Sequence, residues 1–318
     1  MSTVRVATYN LYLGADLSVI FGARSPEHLR EQARMVHAQL LGTDFPARAE
    51  AIARLLVRER VDVVGLQEVA RWSRSRLGPD GVMGPPQVWC DFLTELLATL
   101  ERAGTPYDAH AASANFHGGA ALSEHEAMSV VGYNVVLVRR DSTVVVTGAW
   151  TAGYATSLDI ATGMDDLVLT VARSWGGVDA VVDRAAFRFV NTHTEAYDAA
   201  VRDAQRDELV AALGDPRTPV VVAGDFNASP DSVGMPGEFR DAWVAAGDGG
   251  DGSTCGQCAD LTNAESLLSE RIDYLWVRGA EVTACRVVGN TSEDRTTDAR
   301  LWPSDHACVL ADLRLQVT

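Results

Sequence analysis

The chain contains no lysine. All 27 of its basic residues are arginine, set against 43 aspartates and glutamates, for a formal net charge of -16 over 318 residues. Beside so much alanine, valine, glycine and aspartate, the missing lysine reads as codon bias in a GC-rich coding sequence. The acidic balance carries more meaning. Nonspecific grip on nucleic acid is built from basic faces that neutralise phosphates, and no basic run occurs here. A long polyanionic substrate is therefore disfavoured unless a local arginine cluster or a bound metal supplies the positive field. No apolar run approaches the roughly 18 residues that span a bilayer. No charged leader, apolar stretch and small-residue cleavage site follow Met1. Cysteine is scarce, and five is an odd number that argues for a reducing compartment. The expected location is the cytoplasm. No linker, low-complexity tract or short repeat divides the sequence, and 47% of it is hydrophobic, so residues 1–318 are read as one domain with a sizeable core.

What is present is a long series of short strand-like runs with fewer helices between them. Val4 to Leu13 reads as a strand. Ser25-Pro26 is a helix start, a cap followed by proline at the first helical position, with the pattern running to about Leu41. Phe45-Pro46 opens a second helix, with Ala49, Ile52, Ala53, Leu56 and Val57 on one face. Val61 to Gln67 is an apolar buried strand ending at Glu68. Arginine, glycine and proline in 71–87 indicate a loop, and a third helix is expected from about Val88 to Arg102. The stretch 108–130 lacks periodicity and reads as a long irregular excursion of the kind that often carries function. Strands are expected at 133–139, 143–148, 167–172, 178–182 and 186–193. A helix from about Tyr197 to Leu213 and a strand from Thr218 to Gly224 follow. After a Gly/Asp-rich loop at 247–259, strands return at 272–277, 281–288 and 307–316.

The informative pattern is polar residues at the ends of apolar strands. Asn10 ends Val-Ala-Thr-Tyr-Asn, Glu68 ends Gly-Leu-Gln-Glu, and His193 ends Val-Asn-Thr-His. Asp225 and Asn227 follow Val-Val-Val-Ala-Gly, Asp273 sits in Arg-Ile-Asp-Tyr, and Asp305-His306 precede the last strand. Strand ends of a layered sheet converge on one edge, where ligand sites form. The residue types suit a phosphoester site. A hard cation takes carboxylates such as Glu68 and the aspartates. A histidine oriented by an aspartate suits activation of water, and amides with a second histidine suit the oxygens of the transition state. Taken singly, each of these residues is better explained as a strand-end hydrogen-bonding group. The ordered set is not.

That set, Ala7-Thr8-Tyr9-Asn10-Leu11, Val64-Gly65-Leu66-Gln67-Glu68-Val69, Asn191-Thr192-His193, Ala223-Gly224-Asp225-Phe226-Asn227, Arg271-Ile272-Asp273-Tyr274 and Ser304-Asp305-His306, resembles the endonuclease/exonuclease/phosphatase superfamily across nearly the whole chain. The resemblance implies an α+β fold: a four-layer α/β/β/α sandwich of two packed mixed β-sheets flanked by helices. It implies Mg2+, with Mn2+ as substitute, held by Glu68 with Asn10 beside it and by Asp305. It implies that Asp225 positions or deprotonates the attacking water and that Asn227 contacts phosphate or the metal site. His193 would donate to the phosphoryl oxygen, and His306 would be oriented by Asp273. Whether His306 or Asp225 is the base stays open at this point. Arg173 resembles a phosphate-contacting arginine of the deoxyribonuclease-like branch and is equally well read as a surface arginine before a turn.

Other signals are weaker. Cys255-x-x-Cys258 is compatible with a redox pair or half a zinc site, but a disulfide or two free thiols is the better reading. His110, His117 and His125 lie in the excursion, Asp16 competes between a helix-capping and a site role, and Trp72, Trp89, Trp150, Trp175 and Trp302 are mostly core candidates. The expectation is a metal-dependent hydrolase of a phosphodiester or phosphomonoester, on a small or lipid-headgroup substrate rather than a polymer. The alternatives are a nuclease acting on DNA or RNA, recruitment for another metal-dependent reaction on a small metabolite, and binding without catalysis.

Overall fold

Val4 and Val6 of the first strand face one way and Ala7 and Tyr9 the other, and both sides are buried. A strand covered on both faces requires layers above and below it, and the computed structural model, which describes residues 2–164, 168–214 and 217–316, supplies them. In chain order the strands are β1 (Ser2–Asn10), β2 (Val63–Arg76), β3 (Gln87–Asp91), β4 (Tyr107–Ala121), β5 (Glu126–Arg139), β6 (Val144–Gly153), β7 (Leu158–Ala161) and β8 (Val168–Val171). They continue with β9 (Ser174–Val182), β10 (Ala185–His193), β11 (Val220–Asp225), β12 (Arg240–Asp241), β13 (Asp273–Arg278), β14 (Glu281–Val288) and β15 (Cys308–Leu315). The helices are α1 (Ser18–Phe21), α2 (Pro26–Gly42), α3 (Phe45–Glu59), α4 (Phe92–Arg102), α5 (Ala199–Ala212) and α6 (Ala242–Ala246).

One mixed sheet runs β14-β15-β1-β2-β5-β4, with β3 added to β2, and the other runs β12-β13-β11-β10-β9-β6. Their inner faces meet through Val4, Val6, Val309 and Leu313 on one side and Phe187, Phe189, Val221 and Leu275 on the other. The outer face of the first sheet packs on α2, α3 and α4 through Tyr9, Ile52, Leu56 and Leu96. That of the second packs on α5 through Val190, Val222 and Leu209. The result is the expected four-layer α/β/β/α sandwich. Each fully buried Val, Leu or Phe in these layers contributes about 1.5–3 kcal/mol. The interior also holds a polar clamp between the sheets: Gln67 donates to the Asn191 side chain at 2.6 Å, and Asn191 donates to the carbonyls of Leu66 and Val135. Gly65 is required beneath it, since a Cβ there would lie 2.8 Å from the Asn191 side chain.

Several elements differ from the sequence reading. Residues 71–76 continue β2, paired to β5 as far as Arg76 opposite Glu126, and only the rest of 71–86 is loop-like. The third helix starts at Phe92 with Asp91 as its cap, and the residues before it form β3. The supposed excursion 108–130 is the hairpin of β4 and β5. Bulges at His110/Ser113 and Ala114/His117 shift the side chains from one face to the other, which erases the period of two. β1 ends at Asn10 rather than Leu13. Of the strand expected at 167–172, residue 167 lies outside the described residues and Val168–Val171 pair with β7 in a separate two-stranded ribbon.

Candidate active site

Parallel pairing of β1 with β2, and of β10 with β11, brings the C-terminal ends of β1, β10 and β11 and the bulge in the middle of β2 to the same edge. Register then does the positioning. Asn10 pairs with Gln67, His193 with Asp225, and Asp225 with Asp273 at the start of antiparallel β13. Asp305 and His306 lie just before β15, the other neighbour of β1. Asn10, His193, Asp225 and Asp273 thus sit at strand ends and Arg173 directly before β9. Asn227 is two residues beyond β11, Asp305 and His306 are within three residues of β15, and Glu68 alone lies inside a strand, where β2 bulges.

Glu68 occupies a bulge: the β2–β5 register shifts between Leu66 and Val69, and Glu68 takes φ 55°. This left-handed conformation is uncommon for a side-chain-bearing residue, and here the carboxylate it delivers is fixed from two sides. Leu13 N–H donates to Oε2 at 2.8 Å and Asn10 Nδ2 to Oε1 at 3.3 Å. The same Asn10 nitrogen donates to Asp225 Oδ2 at 3.0 Å, while Asn10 Oδ1 accepts from Tyr12 N–H. As placed, Asn10 orients two carboxylates; ligation through its oxygen requires the amide turned over. Asn227, at φ 47°, closes a turn whose backbone N–H donates to Asp225 Oδ1, and its Nδ2 lies 2.9 Å from His193 Nε2.

His306 Nδ1 lies 2.8 Å from Asp273 Oδ2. This leaves its Nε2 facing Asp225 Oδ2 at 3.8 Å and Asp305 Oδ1 at 3.9 Å. Burial opposes charge on His306, but Asp273, Cys255 and Asp305 outweigh it and hold the imidazolium well above the ordinary histidine range. His193 goes the other way: burial, then the charges of Arg173 and His306, keep it neutral well below that range. Burial, with the charge of Asp273 added, pushes Asp225 up to about 7, and burial with the charge of Glu68 added pushes Asp305 up to about 6. Among the described residues, no arginine side chain hydrogen-bonds to Glu68, Asp225 or Asp305. Crowded, desolvated oxygens of this kind fit a hard divalent cation, whose charge would relieve their mutual repulsion. Donor atoms of Asp225, Asp273 and His306 also lie within 4.8 Å of one another.

Arg173 is not a surface residue. It is 7% exposed, its Nε donates to the buried Glu195 at 3.4 Å, and it lines the cavity that Glu68 and Asp305 also line. Asp16 lines the cavity as well and accepts from Ser18 N–H, but the residue at the cap position of α1 is Leu17, so Asp16 stands one residue outside the capping role. Of the three histidines in the former excursion, His117 reaches the cavity. Cys255 and Cys258 are free thiols, and Cys255 backbone bridges tie its loop to Glu270 and His306. Trp72 and Trp302 are buried, Trp150 and Trp175 pair edge to face, and Trp89 lies under Arg74 at the surface.

Sequence reasoning missed the supporting residues. Thr254 donates its hydroxyl to Asp273 Oδ2 at 2.6 Å. Ser304 donates to the Asn10 carbonyl at 2.7 Å and receives His306 N–H at 3.1 Å. Arg48, fully buried, donates to the carbonyls of Leu11, Tyr12, Thr43 and Pro303, so it links the segments that follow Asn10 and precede Asp305. The one local signal was Arg48 itself, a charged residue on the apolar face of α3.

The model of the Endonuclease/Exonuclease/phosphatase family matches residues 7–306. No curated protein matches the sequence. Among solved structures, an endonuclease/exonuclease/phosphatase from Bacteroides vulgatus is 18% identical with a TM-score of 0.59, over 99% of this chain and 100% of that one. A mannosyl-6-phosphatase from Bacteroides thetaiotaomicron is 19% identical with a TM-score of 0.62, over 98% and 100%. TDP2 from D. rerio, complexed with a single-strand DNA product, is 13% identical with a TM-score of 0.59, over 99% and 100%.

Proposed function

We propose that this chain, which belongs to the Endonuclease/Exonuclease/phosphatase family, is a divalent-metal-dependent hydrolase of a phosphodiester or phosphomonoester on a small molecule or lipid headgroup. The observation that carries the reading is the convergence of Glu68, Asp225, Asp305 and two oppositely tuned histidines at one strand edge. Glu68 and Asp305 would hold Mg2+ or Mn2+, oriented by Asn10. When bound, the cation supplies Lewis-acid polarisation of a phosphoryl oxygen.

The remaining steps belong to the side chains. Asp225 Oδ2 is the central acceptor, 3.0 Å from Asn10 Nδ2, 3.5 Å from His193 Nε2 and 3.8 Å from His306 Nε2. It takes the proton of the attacking water, because His306 is already protonated through Asp273 and lacks a free acceptor. His306 Nε2–H donates to a phosphoryl oxygen as charge builds on it, while Asn227, whose Nδ2 is engaged by the Thr194 carbonyl and His193 Nε2, would contact the metal site through Oδ1. Arg173 adds positive charge at the cavity wall. Among the described residues that arginine is the one arginine in the lining and already bonds to Glu195, which supports a compact ester over a nucleic acid. Among the described residues no helix is long and apolar enough to cross a membrane, and the free cysteines support a reducing, cytoplasmic setting.

The test is hydrolysis of p-nitrophenyl phosphate, bis-p-nitrophenyl phosphate, plasmid DNA, sphingomyelin and an inositol polyphosphate, with and without Mg2+ or Mn2+. Metal-dependent turnover that His306→Ala abolishes establishes the reading. Silence across the panel from folded, metal-binding protein sinks it, and plasmid DNA as best substrate overturns the compact ester.

A further inference from the structure

The cavity beside Glu68 and Asp305 has a volume of about 720 Å³, within the range of small-molecule sites. Among the described residues its charged lining residues are Asp16, Glu68, Arg173 and Asp305. Most of the other wall is hydrocarbon: Ile20 and Phe21 from α1, Phe116 from β4, Val130 from β5, and Leu169 and Val171 from β8. The cavity has a direction. Glu68 and Trp72 stand four residues apart on β2, on the order of 13 Å along the strand. Trp72 pairs with Val130, Val130 pairs with Gly118, and all of them line the cavity. The space therefore runs from the carboxylates along β2 and under the β4–β5 hairpin, leaving charge behind as it goes.

The far side is built to stay apolar and open. β7 and β8 pair outside both sheets, and Val168 is 58% exposed although it faces the cavity. No residue of α1 is buried, yet Phe21 stacks edge to face on Tyr197 at 5.2 Å, bridging α1 to the segment beyond His193. A second phosphate or a row of sugar hydroxyls would find almost no charged partner beyond Arg173.

We propose that the ester cleaved here carries an unbranched alkyl or acyl chain, which lies along this apolar wall while the phosphate sits at the Glu68–Asp305 end. The inference rests on the phosphoesterase reading for its chemistry, and on the cavity alone for chain binding. The experiment is a series of p-nitrophenyl alkyl phosphates from methyl to octyl, assayed with Mg2+ as free monomers. Binding of the matching alkylphosphonates is measured by calorimetry in parallel. Each methylene should raise kcat/KM and phosphonate affinity about fourfold until the wall is filled, the equivalent of about 0.8 kcal/mol. Ile20→Asp or Val168→Asp, both at positions that are not buried, should flatten that dependence while leaving methyl-ester turnover unchanged. Presenting the octyl ester in phosphatidylcholine vesicles separates a membrane-held chain from a free amphiphile: faster turnover there assigns the lipid, slower turnover the soluble molecule.

Turnover that is flat with chain length overturns the chain and leaves the phosphoesterase reading standing. Chain-dependent phosphonate binding without any turnover keeps the chain and sinks hydrolysis. Chain dependence that survives both aspartate variants overturns the assignment to this wall.

Discussion

The charged end, where the strand-edge cluster adjoins the cavity through Glu68 and Asp305, and the apolar end of the cavity are built from different kinds of element. At the charged end, β1, β2, β10, β11 and β13 lie inside their sheets, each paired on both sides, and a slip of one residue would send every core side chain to the wrong face. His193, Asp225 and Asp273 are consequently held in line by three-strand register before any side-chain contact is counted. At the apolar end, β4 is an edge strand with two bulges, β8 belongs to a detached ribbon, and α1 is four residues long. Only Trp72 of β2 and residues 128–130 of β5 bring strands paired on both sides to that wall. On the proposed reading, chemistry would sit where register forbids movement, and substrate shape would be set mostly where the chain is free to vary.

The strongest way to break the comparison is Asp225→Asn. It keeps the shape of the register-locked end and removes its acceptor, so kcat should fall by about 10² to 10⁴-fold, with folding intact by circular dichroism. A loss under tenfold would move the base elsewhere. Next comes Arg173→Gln, which leaves Glu195, with no exposed surface, deprived of its cation. It should cost about 3–5 kcal/mol in urea unfolding. Adding Glu195→Gln should recover most of that stability without recovering turnover, which separates the ion pair's support of the fold from its use on substrate. Gly65→Ala presses on Asn191 beneath the site and should cost about 1–3 kcal/mol while the folded fraction keeps its kcat. The smallest effect belongs to the free end: Val168→Thr should leave stability within about 0.5 kcal/mol, and a larger loss would show that the ribbon is as constrained as the interior.

The same contrast explains what was legible in the sequence. Asn10, Glu68, His193 and Asp225 were visible because each stands at the end of a largely apolar run, and such runs are the mark of interior strands. The layer architecture came from the family resemblance that those segments carry, with helix starts at Ser25-Pro26 and Phe45-Pro46 legible beside it. The β4–β5 hairpin was hidden because its bulges break the alternation that announces a strand. Residues 71–76 were hidden because Arg71, Arg74 and Arg76 look like loop residues until β5 is known to pair with them. Thr254 and Glu195 left no local trace, and Ser304, legible only as part of Ser304-Asp305-His306, gave no sign of its partner: these contacts are made by tertiary folding, Ser304 reaching Asn10 across 294 positions.

That last span has a consequence for how the chain reaches its fold. β1 is sandwiched between β2 and β15, and its Arg5 forks onto Asp312, 307 positions later. On a ribosome making about 5–20 residues per second, the first strand waits roughly 15–60 s for that neighbour. During the wait one side of β1 is an unsatisfied template flanked by Val4, Val6 and Tyr9, open to pairing with other chains. The sheet that carries Asn10 and Glu68 is thus completed only when β15 is made, and a nascent chain interrupted before Cys308 should be a client for chaperones.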